Sequence, residues 1–304
     1  MAAVAFWGND GVWFGTLLGA FPVLGWLGLN LLCLLTVPKF RWRGWTLYLL
    51  LWAGFWVITG LPGRLEPAKD GELMVRVLTW NIDHIGGDID PFVTLLKEAD
   101  ADVICLQEAS DRNPYGFTHL REIAARLSGY DLNAEGDNAI LTRVKAEKIE
   151  RIEIPIEHYR RFVPVVTIST PKGDLSIANI HLVQGMWPGW IMRPGGLPRK
   201  LSEMQSQRES QLNFTLTQLM RKPGRIVLAG DFNLQPFGAL HARLDGTLND
   251  ASASSVFSDS FPTPVPLYRI DRIWCSHDLM PTKRKIISSE LSSHRPVVVD
   301  FVLR

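Results

Sequence analysis

Charge is missing from most of the beginning of this chain. No charged residue occurs from Gly11 to Pro38, and none from Gly44 to Gly63. A helix of roughly 20 apolar residues crosses a bilayer, so both stretches are long enough. A basic leader is missing too: before the first apolar stretch the only charge is Asp10, and a second apolar stretch follows directly, which argues against a cleaved signal peptide. Seven of the eleven tryptophans fall within the first 56 residues. Trp7, Trp13, Trp42 and Trp45 lie near the ends of the stretches, where interfacial aromatics belong. The pattern predicts a membrane hairpin over residues 1–63, with transmembrane helices at about 11–37 and 44–61. Lys39, Arg41 and Arg43 in the short connection would hold that loop in the cytoplasm. An inner-membrane protein whose remaining chain lies outside the cytoplasm is expected.

Cysteine is scarce. Cys33, Cys105 and Cys275 are the only three and form no C-x-x-C pair, which excludes a disulfide framework and a zinc site of that type. A surplus of either charge is also lacking. The 32 basic and 31 acidic side chains nearly cancel, and setting aside Lys39, Arg41, Arg43 and Asp10 leaves the rest with a net charge of −1. No broad cationic field is available to hold a long nucleic acid. Internal repeats and low-complexity tracts are absent.

Beyond a linker at 64–73, residues 74–304 read as one domain of ordinary size. Strand patterns cover 74–82, 102–108, 138–142, 148–154, 162–170, 174–182, 225–231, 269–275, 282–288 and 296–303. Helices are expected from Asp90-Pro91 (N-cap and first-turn proline), over "THLREIAARLSGY", over 199–221 and near 237–244. Many strands adjacent in sequence and few helices predict an α/β (α+β) fold of two stacked sheets with helices outside.

Polar residues collect at the ends of the apolar strands. In "VLAGDFNLQP", Asp231 and Asn233 share one face of an extended chain, and Phe232 turns back to apolar packing. Asn81 and Asp83 in "TWNID" repeat the spacing. Glu108 ends "CLQE", His181 ends "ANIH", Asp271 interrupts the apolar "YRIDRIW", and His294 precedes the last strand. Each has a bland explanation as a cap, a turn or a satisfied ion pair, but six such coincidences in one domain point to a site.

In this order, with "GDFN" and a later "SSHRPV", the segments resemble the endonuclease/exonuclease/phosphatase superfamily, with its deoxyribonuclease-like fold, from about Val75 to the C-terminus. The resemblance implies a four-layer sandwich of two facing, mostly antiparallel sheets flanked by helices, with the site at one edge. It implies a phosphoesterase using Mg²⁺ or Mn²⁺. Glu108, with Asp83 and Asn81, corresponds to the metal-binding group. Asp231 corresponds to the residue that activates water, Asn233 and His181 to phosphate contacts, and Asp271 to the carboxylate paired with His294. One position departs from the pattern: Ser293 stands where relatives place aspartate directly before the histidine.

The chemistry fits these residue types. Phosphodiester hydrolysis builds negative charge, which a hard divalent ion and protonated histidines offset while a carboxylate takes the proton of water. Two substrate classes compete, a nucleic acid and a phospholipid headgroup. Trp187, Trp190 and Arg193 in "QGMWPGWIMRPGGLPRK" are substrate-binding candidates, since aromatics with basic neighbours suit stacked bases or a lipid interface. The rival class is a non-catalytic, membrane-tethered binding module that kept the fold, and Ser293 is its support.

Overall fold

The computed structural model describes residues 71–83, 87–109, 119–155, 161–184, 197–234, 238–253, 260–266 and 268–303, with Trp45, Thr46, Leu49, Leu50, Leu65 and 67–69. The expected hairpin lies outside the described residues except for Trp45, Thr46, Leu49 and Leu50, which are helical and exposed. Among the described residues no helix is long and apolar enough to cross a membrane.

From residue 74 onward the chain builds one sheet, then a second, and returns to the first. Strands β1 (Met74–Asn81), β2 (Val103–Gln107), β3 (Asp131–Glu135) and β4 (Asn138–Thr142) begin the first sheet. The second holds β5 (Ala146–Ile154), β6 (Arg161–Thr170), β7 (Gly173–His181), β8 (Arg225–Asp231), β9 (Asn249–Asp250) and β10 (Asp271–Cys275). The return supplies β11 (Leu279–Ile286) and β12 (Val297–Leu303). The sheet orders are β11-β12-β1-β2-β4-β3 and β5-β6-β7-β8-β10-β9. Each sheet is mixed, with a parallel pair at its centre, β1 with β2 and β7 with β8, and antiparallel pairs around it. A parallel pair needs a crossover. Helix α1 (Asp90–Ala99) lies on the first and α3 (Leu197–Leu219) on the second, while α2 (Leu120–Arg126) and α4 (Ala239–Asp245) complete the outer layers.

Strand periodicity sorts side chains into layers. Val75, Val77, Val103 and Cys105 meet Ile177, Val227, Ala229 and Ile273 between the sheets. The alternate residues Leu78, Trp80, Ile104 and Leu106 pack on Phe92, Leu96 and Ile123 of α1 and α2. Ala178, Ile180, Leu228 and Trp274 pack on Leu212, Leu216, Leu240 and Leu244 of α3 and α4. These are the four layers expected of the sandwich.

Several local expectations shift. β3 and β9 were not foreseen, and β11 runs over Leu279–Ile286 rather than 282–288. Its register slips between Pro281 and Lys283, as expected where proline removes a ladder donor on an edge strand. Asp90 is not the cap of α1: Ile89 holds that position, and the Asp90 N–H donates to Asp88 Oδ1 at 3.0 Å.

Candidate active site

The inward files of five strands turn from apolar to polar at the same edge of the sandwich. In β1 the file reads Val75, Val77, Thr79, Asn81; in β8 it reads Val227, Ala229, Asp231. The register aligns His181 with Asp231 and Asp231 with Asp271 across β7, β8 and β10, and Asn81 with Gln107 across β1 and β2. Two rows of polar side chains therefore face one another from the two sheets.

Gly230 makes the central row possible. Its φ is +147°, and a Cβ there would stand 1.8 Å from the Ile180 carbonyl oxygen. Only glycine lets β8 lie this close to β7. Three strand exits then pass through left-handed residues: Asp83 at φ 48°, Glu108 at 53° and Asn233 at 50°. Such backbone is uncommon for a non-glycine side chain and unusual for Glu108. It turns each chain sharply as it leaves the sheet.

The rows are tied by hydrogen bonds. Asn81 Nδ2 donates to Glu108 Oε1 at 3.1 Å and to Asp231 Oδ2 at 3.2 Å, joining the sheets. Asp231 Oδ1 accepts the Asn233 N–H at 2.8 Å, and Asn233 Nδ2 donates to the Leu182 carbonyl at 3.1 Å. His181 Nε2 lies 3.8 Å from both Glu108 Oε1 and Asp231 Oδ2. His294 Nδ1 is 2.9 Å from Asp271 Oδ2, and its ring packs on Phe261 with centroids 4.6 Å apart. Ser292 Oγ donates to the Asn81 carbonyl and accepts the His294 N–H, and Trp80 Nε1 donates to the His294 carbonyl. Phe232 is buried on Trp274, as its place in "GDFN" predicts.

Electrostatics follow from this geometry. Burial alone would lower the pKa of His294, but Asp271 beside it, with Asp231 and Glu108 farther off, lifts it to about 9. His294 is therefore an imidazolium at neutral pH. Burial also opposes charge on His181, yet Asp137 and Asp231 outweigh it and raise its pKa. Burial first, then the Asp271 charge, raises Asp231 above the ordinary carboxylate range, against the pull of His294, His181 and the Asn233 N–H.

Asp137 is the site residue that sequence reasoning missed. Its carboxylate oxygen Oδ2 is 3.3 Å from His181 Nδ1, an ion-pair contact rather than an aligned hydrogen bond, and its carbonyl accepts the Ala109 N–H next to Glu108. It sits in the β3–β4 turn "EGDN", which reads as turn chemistry and nothing more. Arg161 was missed as well; its Nη1 donates to the His181 carbonyl at 2.8 Å.

Asn81, Glu108, His181, Asp231, Asn233, Asp271 and His294 thus come together. Asp83 is next to them in the chain but exposed. Its N–H donates to Asn81 Oδ1 at 3.0 Å, and no ion pair or hydrogen bond joins its carboxylate to the others among the described residues. Trp187, Trp190 and Arg193 lie outside the described residues.

The donor set suits a hard divalent cation. Among the described residues Asp271 Oδ1 is buried without a hydrogen-bond partner, the Asp231 carboxyl is buried in the same row, and Glu108 presents a partly exposed carboxylate. Ligating atoms of Asp231, Asp271 and His294 lie within 4.8 Å of one another. A protonated imidazole is a poor ligand, so in that trio His294 acts as a donor. Glu108, open to solvent, better suits an ion that keeps most of its waters.

A family model described as the endonuclease/exonuclease/phosphatase family matches residues 78–294. No curated protein matches the chain. Among solved structures, an endonuclease/exonuclease/phosphatase from Beutenbergia cavernae DSM 12333 is 19% identical, covering 76% of this chain and 72% of its own, with a TM-score of 0.58. A humanized D. rerio TDP2 is 18% identical, covering 75% and 98%, with a TM-score of 0.57. A Caenorhabditis elegans TDP2 is 21% identical, covering 76% and 74%, with a TM-score of 0.54. At these identities the likeness to solved structures is one of fold. The family match spans well over half the sequence, and the chain belongs to the endonuclease/exonuclease/phosphatase family.

Proposed function

We propose that this member of the family is a membrane-anchored, divalent-metal-dependent phosphoesterase that hydrolyses a phosphodiester by in-line attack of water. The observation that carries the reading is the facing pair of rows: Asp231 stands between the imidazolium of His294 and the imidazole of His181, with Asn81 bridging to Glu108. Asp231 is the general base. Burial among carboxylates makes it a stronger base than a surface aspartate. His294, charged because Asp271 holds its proton, donates to a non-bridging phosphate oxygen, and His181 supports a second. Asn233 fixes the Asp231 carboxylate and the Leu182 carbonyl beside it. Glu108, with Asn81 and Asp83, would hold Mg²⁺ or Mn²⁺, whose charge would offset that developing on the phosphate.

Residues 1–63 would place the enzyme in the inner membrane with the domain from 74 onward outside the cytoplasm. Either a nucleic acid or a phospholipid headgroup fits the chemistry. The test is a screen of the full chain in detergent against oligonucleotides, phospholipids and a chromogenic phosphodiester, with Mg²⁺, Mn²⁺ or chelator. Asp231→Asn is expected to cost on the order of 10²–10⁴-fold in kcat, as for loss of a general base. Turnover in chelator, or an unimpaired Asp231→Asn enzyme, sinks the mechanism. A folded chain that binds these esters without turnover would leave the binding module.

A further inference from the structure

Where β7 leaves the sheet, the chain loses its ladder partners, yet Leu182 is fully buried and Val183 half-buried. Buried backbone groups need other partners, and five successive ones are satisfied here. The His181 carbonyl accepts from Arg161 Nη1. The Leu182 N–H donates to the Asp231 carbonyl, and the Leu182 carbonyl accepts from Asn233 Nδ2. The Val183 N–H donates to Gln211 Oε1 at 3.0 Å, and the Val183 carbonyl accepts from Arg208 Nε at 2.8 Å. The last two partners come from α3.

The helix carries these groups at a cost. Gln205, Arg208, Gln211 and Thr215 are all buried, at spacings that place them on one face, where a packed helix is ordinarily apolar. Gln211 is completely buried, and among the described residues its Nε2 has no hydrogen-bond partner. A leucine would avoid that unpaired donor, which is costly to bury. What Gln211 supplies is one oxygen for the Val183 N–H, and Arg208 supplies the matching donor for its carbonyl.

We propose that Gln211 and Arg208 are positioning residues that hold Val183, and through it His181, in the geometry the site uses. Neither touches the reacting atoms. The inference rests on the phosphoesterase reading for its kinetic consequence, but not for its structural one. Misplacing a reacting group by about 1 Å costs on the order of 10²-fold, so loss of the clamp should appear in kcat rather than in KM or metal requirement.

The experiment compares Gln211→Leu, which removes the oxygen, with Gln211→Glu, which keeps one, in the full chain. Leu216→Ala serves as a packing control on the same helix. Hydrogen exchange at the Val183 amide is read directly, alongside kcat, KM and thermal midpoint. Protection of Val183 should be lost in Gln211→Leu and kept in Gln211→Glu. The kcat should fall about 10–100-fold in Gln211→Leu and recover in Gln211→Glu, while Leu216→Ala lowers the midpoint and leaves kcat near that of the parent. A Val183 amide equally protected in Gln211→Leu overturns the proposal, as does a kcat lost equally in Leu216→Ala. If Gln211→Leu does not fold, Arg208→Lys, which lacks the Nε–H donor to the Val183 carbonyl, takes its place with kcat as the readout, and a kcat equal to that of the parent overturns the proposal. A parent chain that hydrolyses nothing defeats the phosphoesterase reading alone, and the exchange result still decides the clamp.

Discussion

Replacing Asp271 by asparagine separates the charge on His294 from its burial. His294 titrates near 9 against an ordinary 6.5, because Asp271 and more distant carboxylates overcome burial. At about 1.4 kcal/mol per pKa unit, that rise corresponds to about 3 kcal/mol favouring the folded protonated form. The folded pKa lies above the unfolded one. The stabilisation is therefore complete below pH 6.5 and is lost as pH rises through about 9. Asparagine can still accept a hydrogen bond, but its charge is gone, so burial should carry His294 down toward or below 6.5. Two measurements check this in metal-free buffer: the His294 ring shift followed by NMR, and urea unfolding at pH 6, 8 and 10. The parent should weaken between pH 7 and 10, and the Asp271→Asn slope should be flatter. Activity at pH 8 should fall on the order of 10²-fold with loss of the charged donor. A His294 that still titrates near 9 in Asp271→Asn would refute the reasoning, since among the described residues no other carboxylate is within hydrogen-bonding distance of it.

Gly230→Ala should fail to fold or lose more than about 4 kcal/mol of stability, because its Cβ would meet the Ile180 carbonyl at 1.8 Å; a soluble variant unfolding with the parent would show that β7 and β8 can separate cheaply. Ser293→Asp should lower the Mg²⁺ concentration for half-maximal activity, since residue 293 is half-buried next to His294; an unchanged titration would mean that it does not face the ion. A reporter fused after Arg304 should be active only outside the cytoplasm, as Lys39, Arg41 and Arg43 direct; activity confined to the cytoplasm would reverse the orientation.

The part of the site that was legible in the sequence is the part written along single strands. A period of two places Val227, Ala229 and Asp231 on one file, so a polar residue closing an apolar file marks both an inward direction and a sheet edge. The same reading holds for Asn81, His181 and Asp271, and the order of the motifs identified the fold around them. Strands buried on both faces, such as "VICLQ", are also plain from composition. β3 escaped because "DLNAE" is an edge strand with no fully buried residue, so burial imposes no pattern on it. β9 is two residues long, below any periodic signal.

What stayed hidden is written between distant segments. Asp137 meets His181 across two sheets, and no spacing links a turn after β3 to the end of β7. Gln211 and Arg208 look from the sequence like the solvated face of a long helix, because "QSQRESQLN" is mostly polar all round. Only the packing of α3 against the exit of β7 shows which of those polar groups are buried and what they hold. The hidden residues also share a place, since each contacts His181 or the backbone just beyond it. Periodicity exposes residues that the sheet aims at a substrate; residues that hold the aim leave no periodic trace. Tests of this site should therefore be judged as much on Asp137, Gln211 and Arg208 as on Asp231 and His294.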